Sequence, residues 1–133
     1  MTSQPLDPKG HLKVSVSNFQ GSKKFYEKIF KQLGWKEISS KEASAAWVSP
    51  DGFGFWIEQS ERKEPKYVFL SPGLHHFCFK AASKEKVDEF HKLLVSEEVK
   101  ICNPPKHYPQ YTDKYYAVFF FDPDGIKLEV AFY

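Results

Sequence analysis

The feature that most constrains the fold is an internal repeat. The segment SPDGFGFWIEQ (49–59) aligns without a gap on DPDGIKLEVAF (122–132), sharing Pro-Asp-Gly and the alternation that follows it. A chain carrying two copies of one supersecondary unit must be explained by that unit, twice. Upstream of each copy the same order recurs. HLKVSVS (11–17) alternates strictly, with Leu12, Val14 and Val16 on one side and His11, Lys13, Ser15 and Ser17 on the other, and HHFCFKA (75–81) alternates in the same way. Period-two alternation marks a half-buried strand.

Between the strand and the closing hairpin each copy predicts a helix. In SKKFYEKIFKQLG (22–34), Phe25, Ile29, Phe30 and Leu33 fall on one helical stripe, with Ser22 as cap and Gly34 as stop. In SKEKVDEFHKLL (83–94) the cap is Ser83 and the stripe is Val87, Phe90, Leu93 and Leu94. WKEIS, AAWVS and FGFWIEQ then read as three short strands in the first copy. The expected fold is α+β, with two βαβββ modules forming a cupped mixed sheet around one pocket. Module one covers about 10–60, a charged, proline-bearing linker about 60–73, and module two about 74–133, all within one domain at 8–133. The polar residues 1–10 read as a loose lead-in. CNPPKHYPQYTDKYY (102–116) reads as a loop from its prolines.

Strand parity decides which side chains share a face. If Leu12, Val14 and Val16 cover the helix, His11 and Lys13 point the other way. In the second copy Phe77, Phe79 and Ala81 pack on the helix, which puts His76, Cys78 and Lys80 opposite and leaves His75 on the helix side. In the last strand Leu128, Val130 and Phe132 take the helix side, and Lys127, Glu129, Ala131 and Tyr133 the open one. Two imidazoles and a carboxylate on one face are a common donor set for a divalent cation, with positions left for substrate.

Composition narrows the partners. Nineteen basic against seventeen acidic side chains leave a net charge of +2, and the lysines are scattered, which argues against nucleic acid. Two cysteines make no disulfide framework, and no apolar run approaches the length of a membrane span. A reduced, cytoplasmic protein without a membrane partner is the expectation.

HLKVSV followed by SKKFYEKIFKQLGW, then LHHFCFKA, and above all YYAVFFFDPDGIKLEV resemble the vicinal oxygen chelate superfamily. That superfamily includes glyoxalase I, extradiol dioxygenases, fosfomycin resistance proteins and bleomycin resistance proteins. The likeness runs from His11 to Tyr133. It implies paired βαβββ modules enclosing a metal site, and residue by residue it carries the ligand positions onto His11, His76 and Glu129. It also implies a homodimer, whose pocket can be completed across the subunit boundary.

The departure from the family pattern lies at Trp56, which the repeat alignment pairs with Glu129. Glyoxalase I members resemble each other in placing a carboxylate or amide there, so Trp56 argues against glyoxalase I activity. Glu58, two residues on with the same parity, is the candidate to replace the missing group. The remaining His, His, Glu set resembles those of fosfomycin resistance transferases and extradiol dioxygenases. Trp56, Lys13 and Lys127 face the open side as candidates to contact a flat or anionic small-molecule substrate. His107, Tyr108 and Tyr111, just before the closing hairpin, are candidates for catalytic proton transfer.

The expected function is that of a divalent-metal-dependent enzyme (Fe, Mn, Zn or Ni) acting on a small oxygen-chelating substrate, as a lyase, dioxygenase or thiol transferase. The alternative is a metal-free small-molecule or drug-binding protein of the bleomycin resistance type. A sequestering protein has no chemical need for two imidazoles and a carboxylate on one face, and a buried unpaired Glu129 costs several kcal/mol.

Overall fold

The hairpins that close the two repeats pair with their opening strands in the same register, and everything else is arranged around that pairing. A computed structural model describes residue 7 and residues 9–133. These divide into two units, the first ending at Lys66 and the second running from Tyr67 to Tyr133. The division falls inside the stretch expected to link the modules. The expectation of a loose lead-in falls mostly on residues 1–6 and 8, outside the described residues.

In the first unit the order is β1 (His11–Val16), α1 (Phe19–Leu33), β2 (Lys36–Ser40), β3 (Ser44–Val48) and β4 (Gly54–Gln59). In the second it is β5 (Phe77–Lys80), α2 (Lys84–Ser96), β6 (Ile101–His107), β7 (Tyr116–Phe121) and β8 (Lys127–Phe132). Each unit is therefore βαβββ, and each builds one four-stranded mixed sheet, in the orders β1-β4-β3-β2 and β5-β8-β7-β6. The first and last strands of each unit run parallel, and the remaining pairs are antiparallel.

Leu12 lies opposite Phe55 and Lys13 opposite Trp56, while Phe77 lies opposite Leu128 and Cys78 opposite Glu129. Trp56 and Glu129 thus occupy equivalent positions, as the repeat alignment predicts.

One face of each sheet is buried by its helix. Val14, Val16, Phe55 and Ile57 are buried in the first unit, where Phe30 meets Trp47 and Phe55 at ring separations of 4.9 and 5.2 Å. In the second unit Val87, Phe90 and Leu94 of α2 are buried, and Phe90 meets Phe120 at 5.5 Å. The α1 stripe is centred on Tyr26, Ile29 and Phe30, with Phe25 and Leu33 only half-buried at its margins.

Three local expectations need correction. The cap of α1 is Asn18, whose side chain accepts from the Gly21 N–H, so the helix starts a turn before Ser22. Ser22 is buried inside it, and its hydroxyl has no hydrogen-bond partner among the described residues. Gly34 does close α1, at φ +78°, and Ser83 caps α2. The stretch expected to be a loop from Cys102 onward is instead the edge strand β6 as far as His107, with two register shifts against β7. Prolines are tolerated there because Pro104 and Pro105 lie on an edge at such an irregularity. Finally, β5 begins at Phe77, so strand parity does not reach His75, which is exposed and not packed under the helix.

Candidate functional site

The second unit holds the most concentrated chemistry. Glu129 lies on the sheet face turned away from α2, yet it is only 2% exposed. Its cover comes from aromatic side chains on the same face. Tyr108 and Phe119 are buried there with Ala117 and Ala131, and Cys78, Cys102 and Tyr115 pack against them. Such a carboxylate needs partners, because burying it unpaired costs several kcal/mol. It has two. Oε2 accepts a hydrogen bond from the Tyr115 hydroxyl at 2.5 Å, and Oε1 lies 3.2 Å from His76 Nε2. Burial, together with the Glu129 bond, pushes the Tyr115 phenol well above its ordinary value and keeps it a donor. The Cys78 thiol is pushed up to about 12, by burial first and by Glu129 second, so it is a packed thiol and no nucleophile.

The other nitrogen of His76 is also engaged, since Nδ1 is 2.8 Å from Nδ1 of His75. One of these two nitrogens must carry the proton and the other the lone pair, so the rings are held in complementary tautomers. Because a carboxylate only accepts, the proton on His76 lies at Nε2 toward Glu129, and Nδ1 accepts from the Nδ1–H of His75.

In the first unit His11 opens β1 and is exposed. Its Nδ1 lies 3.0 Å from Asp7 Oδ1. Asp7 Oδ2 accepts from the indole N–H of Trp56 at 3.1 Å, and the His11 and Trp56 rings are 6.2 Å apart. Burial raises the Asp7 carboxyl, but the indole N–H and His11 together outweigh it and hold it below the ordinary value. Glu58, considered as a substitute ligand, forms an ion pair with Lys13 at 3.2 Å, and both side chains are about half exposed. An exposed pair of this kind adds little energy and leaves Glu58 in solvent.

The remaining candidates are distributed as follows. Tyr108 is buried, its ring stacked on the exposed Tyr111 at 5.5 Å and edge-on to Phe119 at 5.6 Å. His107, at the end of β6, is exposed, with its ring 4.8 Å from Tyr116. Lys127 lies over the Phe119 ring at 4.6 Å. Trp56 is half-buried beside Asp7. Among the described residues no three His, Cys, Asp or Glu side chains form a group placed to hold an ion. What the second unit assembles is a pair, His76 with Glu129.

The family model of the Glyoxalase/Bleomycin resistance protein/Dioxygenase superfamily matches residues 9–130. The chain belongs to this superfamily. Its fold agrees: the crystal structure of a proposed glyoxalase from Bacillus halodurans superposes with a TM-score of 0.80 at 26% identity, covering 96% of this chain and 95% of that one. A similar protein is YqjT of Bacillus subtilis, uncharacterized, 33% identical across 91% of this chain and 95% of its own length. Another is the metallothiol transferase FosB of Bacillus licheniformis, 29% identical across 90% of this chain and 71% of its own.

Three contributors to the site escaped the sequence. Tyr115 could have been found, since extending the β7 parity back from Phe119 and Ala117 puts it on the Glu129 face. His75 and Asp7 carried no such signal, because His75 lies in the irregular stretch before β5 and Asp7 at the start of a turn before β1.

Proposed function

We propose that this superfamily member is a divalent-metal-dependent enzyme acting on a small substrate that chelates through adjacent oxygens, with His11, His76 and Glu129 holding the ion. The observation that supports it most is the buried carboxylate of Glu129 with His76 Nε2 at 3.2 Å. Fe, Mn, Zn and Ni all suit two imidazoles and one carboxylate, so the donor set fits such a cofactor. When bound, the ion supplies Lewis acidity toward a chelated substrate oxygen. The chain's own groups do the rest. Tyr115 holds one carboxylate oxygen and so orients the other toward His76. Tyr108, its phenol raised chiefly by burial, stays protonated and suits a proton donor better than a base. Tyr111 and His107, both exposed, are the groups able to exchange protons with solvent. Trp56 and Lys127 offer a flat face and a positive charge to substrate, while Lys13 is tied to Glu58.

Among lyase, dioxygenase and thiol transferase chemistry, the metallothiol transferase relative favours thiol transfer. Trp56, at the position where glyoxalase I carries its fourth ligand, disfavours the glyoxalase I reaction. We further propose a cytoplasmic homodimer.

Elemental analysis of protein purified without air decides the central point. About one divalent ion per chain, and a melting temperature that chelator lowers, are expected. Protein with no stoichiometric ion, whose ligand binding and melting are indifferent to chelator, would establish the metal-free binding protein instead. For the dimer, His11→Ala and Glu129→Ala variants are mixed under exchange. Recovery of one intact ligand set shows that it is shared between chains.

A further inference from the structure

The first strand pair contains a contact that the ligand set does not explain. His11 opens β1 directly opposite Gly54 of β4, and a Cβ placed on Gly54 would lie 2.0 Å from Asp7 Oδ2 and 2.8 Å from its carboxyl carbon. The Asp7 carboxylate therefore fills the space that a side chain at 54 would take. Two backbone bonds fix the turn that carries it, and one side-chain bond reaches the carboxylate itself. The Gly10 N–H donates to the Asp7 carbonyl at 3.2 Å, with Gly10 at φ +82°, a conformation that favours glycine. The Gly54 N–H in turn donates to the Gly10 carbonyl at 2.9 Å, and the Trp56 indole donates to Oδ2.

The indole is a donor only, so its bond identifies Oδ2 as an acceptor and turns Oδ1 toward His11. A carboxylate has no proton to give, so the 3.0 Å contact is completed by a proton on His11 Nδ1. That leaves the lone pair of the imidazole on Nε2. We infer that Asp7 is a positioning residue that fixes His11 in the Nδ1–H form and presents Nε2 as the donor atom, with Trp56 and Gly54 as its supports. This rests on the metal reading for its purpose, although the tautomer itself does not depend on it. Trp56 then has a definite task at the position where its repeat partner is Glu129.

The test uses the full-length protein and reads His11 before any metal is added. Nitrogen-15 spectra of the histidine rings should show His11 as the Nδ1–H tautomer, and the Trp56 indole proton, assigned with Trp56→Phe, should report its hydrogen bond. Asp7→Ala should release both signals toward their solvent-exposed values. Gly54→Ala keeps the aspartate but evicts it, and should do the same. Added Mn²⁺ or Zn²⁺ should then bind roughly 10- to 100-fold more weakly to both variants than to the parent, as when a partner of a ligating histidine is lost.

An unchanged His11 tautomer in folded Asp7→Ala protein overturns the inference, whatever the metal result. A tautomer that responds while the parent binds neither ion supports the role of Asp7 and overturns the metal reading alone.

Discussion

The two units pair their outer strands in one register and then part company at equivalent positions. Where the second unit places a buried carboxylate, Glu129, the first places an indole, Trp56. Where the Nδ1 of His76 meets another imidazole, the Nδ1 of His11 meets a carboxylate. Backbone hydrogen bonding is indifferent to which side chain sits at a paired position, so a repeat keeps its register while its chemistry diverges. In the first unit the acidic group lies in the turn before the strand, beside the imidazole. The second keeps its acid on the strand, roofed by tyrosines.

The sharpest way to break this comparison is to exchange the acid for its amide at the paired position. Glu129→Gln should lower Mn²⁺ or Zn²⁺ affinity by more than about 100-fold in calorimetric titration, whereas Trp56→Phe should cost no more than about tenfold. Equal losses would mean that the two positions are not specialised.

Next in size are the helix contacts. Phe30 is enclosed by Trp35, Trp47, Phe55 and Tyr26, while the contact at Phe90 is centred on Phe120. Denaturant unfolding should place Phe30→Ala near the top of the roughly 3–5 kcal/mol range for such truncations, and Phe90→Ala nearer the bottom.

Smaller effects test the caps. Asn18→Ala and Ser83→Ala should each destabilise by about 1 kcal/mol, and Ser22→Ala should be neutral or stabilising because its hydroxyl is buried without a partner among the described residues. A loss at Ser22 that matches the loss at Asn18 would restore the cap read from the sequence.

The last effect belongs to the second unit and is present at neutral pH but lost at alkaline pH. The Tyr116 hydroxyl donates to Asp88 at 2.6 Å, and that bond, helped by burial, lifts the phenol from 10.0 to about 12. A raised pKa means that the contribution is complete below pH 10 and disappears as pH climbs toward 12. Tyr116→Phe should therefore be less stable than the parent at neutral pH, and its stability should fall less steeply between pH 10 and 12.

What the sequence disclosed follows from which interactions are periodic. Alternation in HLKVSV and in KLEV, and the 3.6-residue stripes of α1 and α2, reflect burial against a regular partner, so strands, helices and the repeat were legible. The α1 cap was misplaced because Asn18 and Ser22 are both good caps, and only the chain's path selects between them. The edge strand β6 was hidden by its prolines, since an irregular ladder does not announce itself in composition. The open-face position of Glu129 was visible through parity, His76 lies one residue before β5 where parity no longer applies, and Tyr115 lay one parity step away. Asp7 was not, because a turn that folds back on its own strand leaves no period to read.

The packing of Asp7 against Gly54 also limits how this sequence can change over time. Restoring a carboxylate on the strand by Trp56→Glu would remove the indole donor and set two negative charges against each other. Exchanging Gly54 first would drive the aspartate out of its place while the indole still points there. An acid at position 7 and an acid at position 56 thus oppose each other, and removing the first gives up the contact that holds His11. The arrangement depends on a single absent methyl group.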